Sequence, residues 1–163
     1  MQIRQLQVAC DQVQDRLLLR ISSQDDEEYR IWLTRRFLRE LWPHLSRLAG
    51  KLAATPIVGE ALADEAVNFD QAFSEENATF PLGSTPLLCS ELKVDTLNDG
   101  TFNLTFREGR ERCFQLAVNA DLLQTLCAML RAGAEHAQWN LALDGVQATS
   151  STAPRSERLS RLH

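Results

Sequence analysis

A chain of 163 residues that is 44% hydrophobic can bury one sizeable core, whereas two independent domains of half that length would each be marginal. No apolar run approaches the roughly 20 residues of a membrane-spanning helix, and the opening MQIRQLQVACDQVQ lacks the apolar stretch of a secretory signal, so a soluble cytoplasmic protein is expected. The net charge of −5 excludes a uniformly basic nucleic-acid binder but hides an asymmetry: residues 1 to 51 carry nine Lys and Arg against seven Asp and Glu, while residues 52 to 80 carry six acids and no base.

In chain order, apolar residues first alternate with period two, in Leu6 and Val8, then Leu17, Leu19 and Ile21, then Tyr29, Ile31 and Leu33. Strands are therefore predicted over 3 to 10, 15 to 22 and 27 to 33. At Thr34, a good helix N-cap, the period lengthens, and Phe37, Leu38, Leu41 and Leu45 line one face of a helix over 35 to 51. Pro43 removes the bond to the Arg39 carbonyl, so a kink is expected near Trp42. Next, Val58, Leu62, Ala66, Phe69 and Phe73 recur at three- and four-residue spacing with Glu60, Asp64 and Asp70 on other faces, which predicts an acidic connecting helix.

The second half repeats the sequence of events. Strands are predicted over 88 to 97, 101 to 107 and 111 to 118 and a helix over 120 to 137, with Asn98-Asp99-Gly100 as a tight-turn signal and Asn119 as the cap. Leu19, Ile21, Tyr29, Ile31 and Leu33 fall on Leu104, Phe106, Phe114, Leu116 and Val118 at an offset of 85, and the helix leucines follow in step, Leu41 on Leu126. Leu6 and Val8 match Leu92 and Val94 at 86, which places one gained residue in a turn, where insertions are tolerated. The expectation is an α+β protein built as a tandem internal repeat, each copy a three-stranded antiparallel meander followed by a helix, related by a pseudo-two-fold axis. Residues 1 to 147 form that domain, with copy one at 1–52, the connecting segment at 53–86 and copy two at 87–140. Trp139, Leu141 and Leu143 alternate as a brief extra strand would, and the Ser/Thr-rich then Arg-rich residues 148 to 163 read as a disordered tail.

The residues offer little catalytic or metal chemistry. Cys10, Cys89, Cys113 and Cys127 form no CxxC pair and have no histidine at ligand spacing, so neither a zinc site nor a redox pair is expected, and no cofactor. Glu40 and His44 are one helical turn apart, but no second ligand joins them and a surface ion pair is the simpler reading; His136 beside Glu135 is no stronger. The run Asp25-Asp26-Glu27-Glu28 lacks the ligand spacing and turn glycine of a calcium loop and reads as a solvated hairpin tip.

The strand faces are more informative. With the apolar set turned towards the helix, the opposite face of the first copy presents Gln5, Gln7, Arg16, Leu18, Arg20, Arg30 and Trp32, basic and aromatic. The corresponding face of the second copy presents Glu91, Lys93, Asp95, Thr101, Asn103, Thr105, Arg107, Cys113, Gln115 and Ala117, polar and nearly neutral. Arginines around a tryptophan on an open sheet can stack unpaired bases and neutralise phosphates. They also suit a protein interface, with Leu18 and Trp32 as covered apolar anchors. In outline the strand-rich repeat with a terminal helix is reminiscent of the Whirly single-stranded nucleic-acid binders, which have four strands per unit; none of their motifs occurs here, and the likeness is one of fold alone.

The reading that follows is a non-enzymatic cytoplasmic interaction module using the first-copy face, with binding residues Arg16, Leu18, Arg20, Arg30 and Trp32, for a protein partner or for self-association as a homodimer. A single-stranded nucleic-acid binder using the same face is the alternative. An enzyme with a site between the copies is the weaker third.

Overall fold

The computed structural model describes residues 1–53, 78–97 and 99–143. The expected connecting helix and the tail lie outside them. In chain order the elements are β1 (Ile3–Asp11), β2 (Arg16–Ser23), β3 (Glu28–Thr34), α1 (Arg35–Ala53), β4 (Leu87–Leu88), β5 (Glu91–Thr96), β6 (Phe102–Glu108), β7 (Arg112–Val118) and α2 (Ala120–His136). They make an α+β protein with a four-stranded sheet, β1-β2-β3-β4, and a three-stranded sheet, β5-β6-β7.

Local chemistry accounts for two of the hairpin turns and for both helix starts. After β1 the Asp11 carboxylate accepts from the main chain of Val13 and Gln14 at 3.0 and 3.1 Å, and Asp15 takes a left-handed conformation to start β2. Between β5 and β6, Asp99 accepts from Thr101 N–H at 3.0 Å while Gly100, at φ 80°, supplies the positive angle that a residue with a Cβ adopts at a cost. Both helices start where expected: the Thr34 hydroxyl accepts from Phe37 N–H at 3.2 Å and the Asn119 side chain from Leu122 N–H at 2.8 Å, each satisfying a first-turn amide. α1 runs unbroken through the exposed Pro43.

The ladders set which faces are buried. Leu6 pairs with Ile21 and Val8 with Leu19 across β1 and β2, and Leu17, Leu19 and Ile21 pair with Leu33, Ile31 and Tyr29 across β2 and β3. In the second sheet Leu92 and Val94 pair with Phe106 and Leu104, which in turn pair with Phe114 and Leu116. Leu17, Leu19, Ile21, Ile31, Leu104 and Leu116 are almost completely buried together with Leu38, Leu45, Leu123 and Leu130 of the helices, and burying such side chains is worth about 1.5 to 3 kcal/mol each.

Three features join the halves. α2 packs on β1 of the first sheet, where Gly133 makes room: a Cβ there would lie 2.8 Å from Val8 Cγ1 and 3.3 Å from Leu17 Cδ1. The Tyr29 ring stacks on Phe114 with centroids 4.4 Å apart. And the chain passes directly from one sheet to the other, as Cys89 N–H donates to the Trp32 carbonyl at 3.0 Å and Ser90 N–H to the Arg107 carbonyl at 2.8 Å.

Two differences from the sequence reading have plain causes. β4 lies parallel to β3 and extends the first sheet to four strands, a long-range pairing that two residues carry no periodicity to announce. Residues 139 to 143 form no strand, because Gln138 and Asn140 take left-handed conformations at φ 56° and 51° and turn Trp139 inward instead. Among the described residues no helix is long and apolar enough to cross a membrane.

Candidate functional site

Alternation along β1, β2 and β3 brings Arg16, Leu18, Arg20, Arg30 and Trp32 onto one face of the first sheet, all of them half-buried rather than open. Cross-strand register arranges that face in rows: Asp11, Arg16 and Thr34; then Ala9, Leu18, Trp32 and Leu88; then Gln7, Arg20 and Arg30; then Gln5, Ser22 and Glu28. The apolar row therefore crosses the whole sheet and ends on Leu88 of β4, which is 41% exposed.

Each arginine of the face is engaged. Arg20 Nε donates to Glu28 Oε1 at 2.7 Å, and the Glu28 side chain is 1% exposed. Arg20 also reaches Gln7 Oε1 at 3.4 Å. Arg16 lies over the Trp32 ring at 3.7 Å from its centroid, an arrangement in which the ring quadrupole attracts the cation. Its Nε is 3.8 Å from Asp11 Oδ2, an ion pair but too long for a hydrogen bond, and that nitrogen is buried without a hydrogen-bond partner. Arg30 lies over Phe80 at 4.2 Å and donates to the Ser84 carbonyl at 2.5 Å. The loop it holds is gripped from the other half as well, since Arg112 of β7 donates to the carbonyls of Leu82, Thr85 and Pro86 at 2.9, 2.7 and 3.2 Å.

The structure adds three residues that sequence reasoning missed. Glu28 is the buried counter-charge of Arg20 and not part of a solvated tip, because the hairpin turn ends one residue earlier and β3 begins with it; its spacing of two from Arg30 and four from Trp32 was the available signal. Leu88 and Phe80 come from the segment after residue 77, and no local pattern could bring them to β3. The matching face of the second sheet is more open: Glu91, Lys93, Arg107, Cys113, Gln115 and Ala117 are exposed, and Lys93 pairs with Asp95 at 2.9 Å.

The remaining candidates are dispersed. Glu40 accepts from Arg36 Nε at 3.0 Å rather than from His44, and both His44 and His136 are exposed. Among the described residues no group of three or more His, Cys, Asp or Glu is placed to hold a metal ion. Burial pushes the thiols of Cys89 and Cys127 up to about 11, while Cys113 is exposed.

The two buried thiols set an alkaline limit. Their folded values lie above the ordinary 9.0, so between pH 9 and pH 11 the unfolded chain releases these protons while the folded chain keeps them, and stability falls as pH rises through that window. Cys89→Ala combined with Cys127→Ala should flatten this limb in denaturation midpoints, while in the native wild type a thiol reagent at neutral pH should modify Cys113 first. An alkaline limb unchanged in the double variant would contradict the assignment. Comparison with family models, curated proteins and solved structures finds no match for this chain.

Proposed function

We propose that this is a non-enzymatic cytoplasmic protein-interaction module that engages a protein partner through the outer face of the β1-β2-β3-β4 sheet. The observation that carries the reading is the apolar row Leu18, Trp32 and Leu88, framed by Arg16 on one side and by Arg20 and Arg30 on the other. An aromatic anchor with its flanking arginines is the composition of interface hot spots. Nucleic acid would need the guanidinium groups for phosphates, yet Arg20 is matched by Glu28 and Arg30 is committed to the Ser84 carbonyl. That weighs against the single-stranded nucleic-acid reading.

We further infer that the two halves are copies of one unit about a pseudo-two-fold axis. The same offset of 85 carries the β2–β3 ladder onto the β6–β7 ladder, so that Leu19–Ile31 becomes Leu104–Leu116. The same offset relates Tyr29 to Phe114, and those two rings stack on each other, as equivalent residues beside a two-fold axis do.

The face is tested with Trp32→Ala and Leu88→Ser against Arg20→Gln with Arg30→Gln. The full chain is immobilised to recover partners, and single-stranded oligonucleotide retention is measured at low and high salt. Loss of protein association in the apolar variants, with far-ultraviolet circular dichroism unchanged, is the expected result. Oligonucleotide retention that falls steeply with salt, and whose salt slope drops by about one phosphate per arginine removed, would replace this reading with the nucleic-acid one.

A further inference from the structure

The edge strand β7 presents a row of main-chain groups that nothing among the described residues takes up, and its chemistry suits a second copy of itself. The direction of those groups follows from the neighbouring ladder. Leu97 N–H donates to the Thr101 carbonyl at 2.9 Å, one step beyond the pair Thr96 and Phe102. In an antiparallel ladder bonded and non-bonded pairs alternate, so Asn103, Thr105 and Arg107 bond towards β5, and Phe102, Leu104, Phe106 and Glu108 bond towards β7. Their partners Val118, Leu116, Phe114 and Arg112 are thereby used, which leaves Cys113, Gln115 and Ala117 with N–H and C=O directed away from the sheet. No main-chain hydrogen bond among the described residues meets them.

Edges of this kind template pairing with another chain, and proteins blunt them with charge, proline or bulges. The other edges here are blunted: β1 has a register irregularity between Ile3 and Gln5 and is packed by α2, β5 carries Glu91, Lys93 and Asp95, and β4 is only two residues long. β7 has none of these at its outward positions, its one charged residue, Arg112, being taken up by the Leu82, Thr85 and Pro86 carbonyls. Its register with β6 is regular over the whole strand, its inward residues Phe114, Leu116 and Val118 are buried and hold it in place, and its outward residues Cys113, Gln115 and Ala117 are uncharged and exposed.

We propose that the chain forms a two-fold dimer in which β7 pairs antiparallel with β7 of a second copy, centred on Gln115, joining the two three-stranded sheets into one. That register sets Gln115 opposite itself, where the amides can bond to each other, and Cys113 opposite Ala117, so no like charges meet. One step past the strand, the exposed Glu111 of each copy faces Asn119, the N-cap of the other copy's α2, where a carboxylate is favoured by the helix dipole. The occupant is thus argued from self-complementarity: the same edge supplies matching donors, acceptors and charges on both sides. This surface is separate from the first-sheet face and does not depend on the function proposed for it.

Sedimentation equilibrium of the full chain over a range of concentrations should give a mass approaching twice 18.4 kDa. Gln115→Lys, which sets two ammonium groups face to face at the axis, should raise the dissociation constant by about tenfold or more while leaving the circular dichroism and Tm of the monomer unchanged. Ala117→Cys should give a dimer on a non-reducing gel after mild oxidation, because bonded antiparallel pairs have Cα atoms about 5.5 Å apart, within disulfide reach. The same substitution with Cys113→Ser should not. A chain that sediments as a monomer at every concentration overturns the proposal, as does a dimer that survives Gln115→Lys or one that Trp32→Ala abolishes.

Discussion

Trp139→Ala should lower the free energy of unfolding by about 3 to 5 kcal/mol, read from the urea midpoint at constant slope. The indole is 1% exposed and is the largest of the fully buried side chains in the core. It also joins three distant parts of the chain. Its Nε1–H donates to Asp15 Oδ1 at 2.5 Å in the turn between β1 and β2, and its carbonyl accepts from Arg35 Nη2 at 2.7 Å at the start of α1. The main chain bends at Gln138 and again at Asn140 to deliver it. Trp139→Phe separates the contributions. It keeps most of the buried surface but removes the N–H and part of the ring volume; because Asp15 is exposed its carboxylate can turn to water, so a loss of about 1 to 2 kcal/mol, part of it from the small cavity, is expected. Equal midpoints for Trp139→Ala and the wild type would show that the indole is not part of the folding core.

Arg20→Met should cost about 3 to 5 kcal/mol, because it leaves the Glu28 carboxylate, with 1% of its side chain exposed, without its cation. The informative comparison is the double variant Arg20→Met with Glu28→Met. Taking two charges out of water opposes most of their attraction, so replacing the whole pair by apolar groups of similar size should restore much of what the single change loses. The coupling in a double-mutant cycle should be large for residues in such contact. A double variant less stable than Arg20→Met alone would mean that Glu28 contributes through contacts other than Arg20. The outcome also bears on function. A face whose central arginine is matched to a buried acid offers a partner a fixed shape rather than a mobile cation.

The contrast between Arg20 and Trp32 indicates how far a sequence carries an interaction site. Period-two alternation placed both on one face, and the register Leu18–Trp32 and Arg20–Arg30 is what a regular hairpin gives. Exposure was not legible. The Phe80 to Pro86 loop is brought to that face by β4, by Arg30 and by Arg112, which is eighty-two residues from Arg30 along the chain, and no local pattern encodes such a meeting.

By itself the sequence determined what depends on near neighbours: the strands from period two, the helices from the change of period at Thr34 and Asn119, the turn at Asp99-Gly100, and the sides of the strands that turn inward. These follow from backbone geometry and side-chain polarity within a few residues. Tertiary structure alone decided that α2 lies on β1 across Gly133, that β4 completes the first sheet, that Glu28 is buried against Arg20, and that β7 is an edge among the described residues. Each of these joins segments far apart in the chain, where the closest packing of the whole, not the preference of either segment, selects the contact.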